Sequence, residues 1–159
     1  MAFRNEAIDG LPDDGRQSEM ARVICKGLRR MLRSRNLASV TELVLPDGRR
    51  ADVMALGANG TLAIIEVKSS VADFRADTKW PIYRAHCDRL YFAVSPDMPI
   101  GLMPPDAGLI VADAYGAEIL REAPEHRLAG ATRRALLIRF AQAAADRLHL
   151  AYDPESRLS

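Results

Sequence analysis

A run of apolar, largely β-branched residues that ends in two opposite charges, Thr61-Leu62-Ala63-Ile64-Ile65-Glu66-Val67-Lys68-Ser69-Ser70, constrains the fold of this chain more than any other feature. Such a run predicts a buried strand. Side chains alternate along a strand, so Glu66 and Lys68 project from one face, at one end of it. Charged groups are seldom taken out of water without a partner or a metal. Upstream, Arg50-Ala51-Asp52-Val53-Met54-Ala55-Leu56 is a second short apolar segment, and it carries Asp52. Between the two, Gly57-Ala58-Asn59-Gly60 is hairpin-turn chemistry.

The length of that turn decides whether the two acids can meet. Directly opposed residues of an antiparallel pair share a face. A three-residue loop at Ala58-Asn59-Gly60, with Gly60 in the left-handed region, pairs Gly57 with Thr61 and sets Asp52 opposite Glu66. A four-residue loop sends Asp52 to the other face. If the carboxylates work together, the loop has odd length.

Elsewhere the sequence predicts a single core. At 159 residues and 48% hydrophobic content, one globular domain is expected over 14–150, with a flexible arm at 1–13 and a tail at 151–159. The first eighteen residues are polar and acidic, unlike a signal peptide. No run approaches the ~18 apolar residues of a membrane span. Cys25 and Cys87 lack CxxC spacing and form no zinc pattern with His86, His126 and His149, so a reducing, cytoplasmic setting is expected.

Net charge is only +1, but its distribution is uneven. Residues 1–20 hold five acids against two bases, and residues 21–50 hold eight bases (Arg22, Lys26, Arg29, Arg30, Arg33, Arg35, Arg49, Arg50) against Glu42 and Asp47. A second basic group, Arg127, Arg133, Arg134, Arg139 and Arg147, lies near the C-terminus. Local basic stripes matter more for phosphate binding than the total does. Arginine on an exposed helix face is also ordinary solvation.

In chain order, Asp14 and Gln17 read as a capping box opening a helix. Met20, Val23, Ile24, Gly27, Leu28, Met31 and Leu32 then mark one apolar face, with Asn36 as its C-cap. Strands follow over about 40–45, 49–56 and 61–68, a meander. Ser69 or Ser70 ends the third strand and caps a turn through Phe74. A second helix is expected from Asp77 or Thr78 to about Asp88, with Pro81 in its first turn and Trp80, Tyr83 and Cys87 in the core. Leu90–Val94 is a buried strand. Gly108–Ala112 and Ala117–Leu120 make a strand pair, and a last helix runs from about Thr132 to Leu148. The crossover from the third strand to Leu90–Val94 makes that pair parallel. The expected class is α/β, a mixed sheet between helices.

Asp52…Glu66-Val67-Lys68 on adjacent strands of such a sheet resembles the PD-(D/E)XK nuclease superfamily, with its restriction-endonuclease-like fold. The superfamily's core order of helix, three-stranded meander, helix and strand is similar to residues 14–94. Ala51 stands where the motif's name has Pro. Within the superfamily the chain looks most like the bacterial MmcB family of DNA-repair proteins. That likeness rests on Phe74-Arg75-Ala76-Asp77-Thr78-Lys79-Trp80-Pro81-Ile82-Tyr83, Cys87-Asp88 and Tyr91-Phe92-Ala93-Val94.

The resemblance implies a metal-dependent DNA endonuclease of DNA repair. Asp52 and Glu66 would be hard oxygen ligands for Mg²⁺, with Mn²⁺ as a substitute, at about 2.1 Å if octahedral. The backbone carbonyl of Val67 would add a third oxygen. Such a cation acidifies water and polarises phosphate. Lys68, beside two carboxylates, is expected to stay protonated and act electrostatically rather than as a base. Glu19 would take part from the first helix, as the superfamily's helix-one acid often does. Arg22, Lys26, Arg29, Arg30, Ser69 and Lys79 are the candidate nucleic-acid contacts. The implied partners are single-stranded, branched or damaged DNA at the nucleoid, other repair proteins and a second copy of the chain, with no membrane.

Duller readings stand beside these. Glu66 and Lys68 could be a surface ion pair worth ~0–1 kcal/mol. Glu19 could simply complement the helix dipole. Lys79 either contacts phosphate or sits in solvent, and Ser69 and Ser70 could cap a turn instead of touching phosphate. A non-catalytic DNA-binding or scaffold protein that keeps the nuclease fold is the second functional reading. An enzyme acting on small phosphorylated molecules ranks last, for want of a Gly-rich phosphate loop.

Overall fold

The computed structural model describes residues 18–157. Helix α1 (Glu19–Ser34) opens at Ser18, whose hydroxyl accepts the amide of Ala21 at 3.1 Å, meeting one of the orphan donors of a first turn. The expected capping box at Asp14 and Gln17 and the arm over 1–13 lie outside the described residues. Ile24, Leu28, Met31 and Leu32 are buried at helical spacing, while Arg22, Lys26, Arg30 and Arg33 stay exposed. Asn36 follows the helix at φ +59°, a left-handed position that Asn tolerates.

The meander is β1 (Ala38–Val44), β2 (Arg50–Leu56) and β3 (Leu62–Lys68), with antiparallel pairing throughout. Its second turn has the expected odd length. The Gly57 amide donates to the Thr61 carbonyl at 2.9 Å, and Gly60 sits at φ +83°. Pairing then runs from Leu56 opposite Leu62 to Val53 opposite Ile65. β4 (Arg89–Val94) lies parallel to β3, β5 (Gly108–Ala112) parallel to β4, and β6 (Ala117–Arg121) antiparallel to β5. Among the described residues the six strands form one mixed sheet in chain order.

Helices flank both faces, as the alternation of buried side chains requires. Val53, Ile65, Ala93 and Ile110 pack with Ile24 and Leu28 of α1. On the other face Met54, Ile64 and Leu90 pack with Leu136 and Phe140 of α3 (Gly130–Tyr152), and Phe92 takes Phe74 and Trp80 edge-on at 5.7 and 5.2 Å. The last helix extends beyond the expected Thr132–Leu148, and a short 3₁₀ turn (Pro154–Ser156) follows it. No helix among the described residues is long and apolar enough to cross a membrane.

The second helix differs from expectation. Instead of one helix over about 77–88 there is a short α2 (Val71–Ala76) and then a 3₁₀ helix over Trp80–His86. Ser70 caps α2 by accepting the Asp73 amide at 3.0 Å, so the helix starts earlier than Asp77. Asp77 closes it with an extended backbone (φ −89°, ψ 95°). The half-buried positions Trp80, Tyr83 and His86 recur every third residue, the 3₁₀ repeat.

β1 also breaks its alternation. Val40 and Leu43 enter the same core, and Glu42 between them has φ +49°. Glu42 lies across from Asp52, between the pairs Thr41–Val53 and Leu43–Ala51. A left-handed non-glycine costs roughly 1–2 kcal/mol, and here it lets β1 change face beside Asp52.

Three of the C-terminal arginines serve the fold. Arg133 binds Asp88, Arg139 donates to the Val44 carbonyl at 3.3 Å, and Arg147 reaches Thr41 and the Glu42 carbonyl at 3.4 Å.

Candidate functional site

The regular pairing of β2 and β3 stops just where the two acids would face each other. One step beyond Val53 and Ile65, side chains replace the ladder. The Asp52 amide donates to Glu66 Oε1 at 3.2 Å, and the Val67 amide donates to Asp52 Oδ2 at 2.8 Å. Glu66 is only 3% exposed and Asp52 is half-buried. Each carboxyl thus has one oxygen tied to backbone, and the two side chains also hydrogen-bond each other.

Burial, reinforced by the charge of Asp52, pushes the Glu66 carboxyl up to about 9. Burial raises Asp52 as well, against the pull of the Val67 amide. Two carboxyls this close and this buried do not both ionise at neutral pH, and a proton shared between them relieves their repulsion.

Lys68, two residues later at the end of β3, is also buried. Its ammonium does not turn to the acid pair. Lys68 Nζ lies 2.6 Å from Asp77 Oδ2 at the end of α2. Burial pulls the lysine pKa down, but the hydrogen bond and charge of Asp77 outweigh it and the net shift is upward, so the ammonium is charged. Asp77 was not among the residues expected at the site, and no local sequence signal ties it to Lys68. Its second oxygen accepts the Lys79 amide at 3.0 Å.

Other candidates gather more loosely. Arg22, Lys26, Arg29, Arg30, Ser69 and Lys79 line the same open cleft of about 1860 Å³ as Asp52, Glu66 and Lys68. Ser69 spends its amide and hydroxyl on Asp73 Oδ2, at 3.1 and 3.4 Å. Glu19 lines the cleft too, but its side chain is 83% exposed and pairs with Arg22 at 3.9 Å. Tyr83, expected only as core, borders the cleft and donates its hydroxyl to the Arg50 carbonyl at 3.0 Å. Burial, then the charges of Glu66 and Asp52, raise its phenol.

Among the described residues no group of three or more His, Cys, Asp or Glu side chains is placed to hold a metal. The donor set the structure brings together is two carboxylates, with the Val67 amide bonded to one of them. Mg²⁺ commonly takes no more than this from a protein, keeping waters and substrate oxygens for the rest. Two hard oxygens sharing a proton fit such a cation.

The architecture defines an α/β protein whose acid pair sits where two central strands part, beside a basic helix. Over residues 9–155 the chain matches the family described as DNA repair protein MmcB-like, and it belongs to that family. A solved structure of a protein of unknown function from Silicibacter pomeroyi is similar at 45% identity with a TM-score of 0.86, covering 89% of this chain and 97% of that one. No curated protein matches the chain.

Proposed function

We propose that this protein is a metal-dependent DNA endonuclease acting in repair, built on the PD-(D/E)XK plan. The observation that carries the reading is the bonding of the Asp52 amide to Glu66 and of the Val67 amide to the Asp52 carboxylate at the ends of β2 and β3, with the charged Lys68 two residues on from Glu66. The family's description as a DNA repair protein favours DNA as the substrate.

Asp52, Glu66 and the Val67 carbonyl would hold Mg²⁺ or Mn²⁺ in place of the shared proton. When bound, the cation supplies phosphate polarisation and a more acidic water. Lys68 remains charged and offers a fixed ammonium to a phosphoryl oxygen as charge develops there, which is electrostatic stabilisation rather than base catalysis. The exposed row on α1 would hold phosphates and set the strand's course across the cleft. Glu19, at the solvent edge of that cleft, is proposed as an outer participant.

The test is cleavage of single-stranded, branched and damaged DNA with Mg²⁺ or Mn²⁺, run beside Asp52→Ala and Lys68→Ala. Loss of cleavage in both variants supports hydrolysis at this site. Equal cleavage by all three proteins means a contaminant and overturns it. The same basic row would also serve a non-catalytic DNA-binding or scaffold protein. Salt-dependent DNA affinity unchanged by Glu66→Gln, without hydrolysis, would select that second reading.

A further inference from the structure

We infer that Asp77 is a positioning residue that keeps the Lys68 ammonium off the Asp52–Glu66 pair, so that the pair stays open to a divalent cation. This rests on the proposed metal-binding reading of that pair. The lysine has competing anionic partners within its own neighbourhood, since Glu66 and Lys68 leave β3 on the same face. A buried ammonium next to a buried carboxylate pair would ordinarily close on it and neutralise it, occupying the space of the cation. Here it closes on Asp77 instead, at 2.6 Å.

The arrangement is built rather than incidental. Lys68 has a side chain only 7% exposed, and Asp77 only 20% exposed. Both oxygens of Asp77 are committed, one to Lys68 Nζ and one to the Lys79 amide at 3.0 Å, which fixes the direction of the carboxylate. The Asp77 amide donates to the Phe74 carbonyl at 3.2 Å, so the residue is held at the end of α2. α2 is in turn anchored to the end of β3 by Ser70, which caps it, and by Asp73, which takes the Ser69 amide at 3.1 Å. Phe74 packs on Phe92 from the same short helix. Chain from Lys68 to Asp77 is therefore a closed ring whose last link is the ion pair.

The consequence is a separation of charge into two units. Lys68 makes its direct ion pair with Asp77, while Asp52 and Glu66 feel its charge only from a distance and, among the described residues, have no ion-pair partner in contact with them. That is the condition a cation site needs, and it gives a use to an acid placed at the end of a six-residue helix.

Calorimetric Mn²⁺ titration of the full-length wild type, Asp77→Asn, Lys68→Met and the double variant tests this, with thermal melts to establish that each is folded. Asp77→Asn is expected to weaken Mn²⁺ binding about tenfold or more, because the released ammonium turns to the acids. Lys68→Met is expected to bind Mn²⁺ at least as tightly as wild type. The double variant is expected to recover wild-type affinity, since the intruding charge has gone. A merely structural role for Asp77 would leave the double variant as weak as Asp77→Asn, and that result overturns the inference. Wild-type affinity in Asp77→Asn, or weakened binding in Lys68→Met, overturns it as well. Absence of Mn²⁺ binding by the wild type overturns the metal reading itself and this inference with it.

Discussion

Arg133, in the first turn of α3, presents its guanidinium to both oxygens of Asp88, at 2.6 and 2.7 Å. Asp88 is 1% exposed and also accepts the amides of Leu62 and Leu128, at 2.8 and 2.9 Å. One carboxylate thus joins the start of β3, the approach to β4 and the chain leading into α3. Burial works against its charge, but Arg133 and the two amides prevail and hold it at about 2. Asp88→Asn would leave Arg133 partly buried without its carboxylate, holding only the Gly60 carbonyl at 2.9 Å, and a loss of about 3–5 kcal/mol is expected by urea unfolding at pH 7. In the wild type, this group's contribution is full above pH 3.8 and is lost as pH falls through about 2, a decline of about 2 kcal/mol. Wild-type stability for Asp88→Asn would refute the assignment.

Glu66 is expected to impose the opposite pH dependence. The folded protein holds its proton up to about 9, against an ordinary value of 4.5. Its contribution is therefore full below pH 4.5 and is lost as pH rises through about 9. Without added metal, the melting temperature should fall between pH 5 and pH 9, and Glu66→Gln, which cannot ionise, should flatten that slope. Mg²⁺ or Mn²⁺ should restore wild-type stability most at the alkaline end, since it replaces the proton. Parallel profiles for wild type and Glu66→Gln would mean that Glu66 ionises freely in the fold.

Gly27 sits in the middle of α1, where helix propensity favours alanine by roughly 1 kcal/mol. Packing reverses the sign. A Cβ at this position would lie 1.8 Å from the Asp113 carbonyl oxygen and 2.4 Å from that of Gly116. Both are backbone atoms of the turn between β5 and β6, which cannot step aside as a side chain could. Gly27→Ala is expected to cost about 1–3 kcal/mol or more, because α1 must lift from the sheet. Chemical denaturation checks it, and a stabilised variant would show that the contact yields.

The β2–β3 hairpin was legible in the sequence because Gly57-Ala58-Asn59-Gly60 leaves few turns to choose from, and register follows from turn length. The parallel pairing of β3 with β4 was legible from the crossover between them. The segment after β3 was not, because apolar residues at 80, 83 and 87 satisfy a helical period while Trp80, Tyr83 and His86 satisfy the 3₁₀ one. Only tertiary packing on Phe92 and the pinning of Asp77 by Lys68 separate the two. In β1, the three-residue spacing of Val40 and Leu43 carried the signal of the irregularity at Glu42, although Glu gives no local reason for a positive φ. At the site, the acid pair followed from register, but the partner of Lys68 came from nine residues away, across the short helix α2.

Lys26 and Arg30 lie one helical turn apart on the exposed side of α1 and line the cleft with the acid pair. If they neutralise two phosphates, their joint replacement by alanine should lower the slope of log affinity against log salt by about 1.4 for single-stranded DNA and about 1.8 for duplex. Both side chains are exposed, so unfolding stability should stay within about 0.5 kcal/mol of wild type. Arg127 and Arg134 are equally exposed but lie outside that cleft. Their replacement should leave the slope unchanged, although it removes the same net charge. This comparison separates contact from overall electrostatic attraction, because both pairs alter the total by the same two units. A similar loss of slope from either pair would mean that DNA is held by diffuse charge and that α1 does not set the strand's course across the cleft.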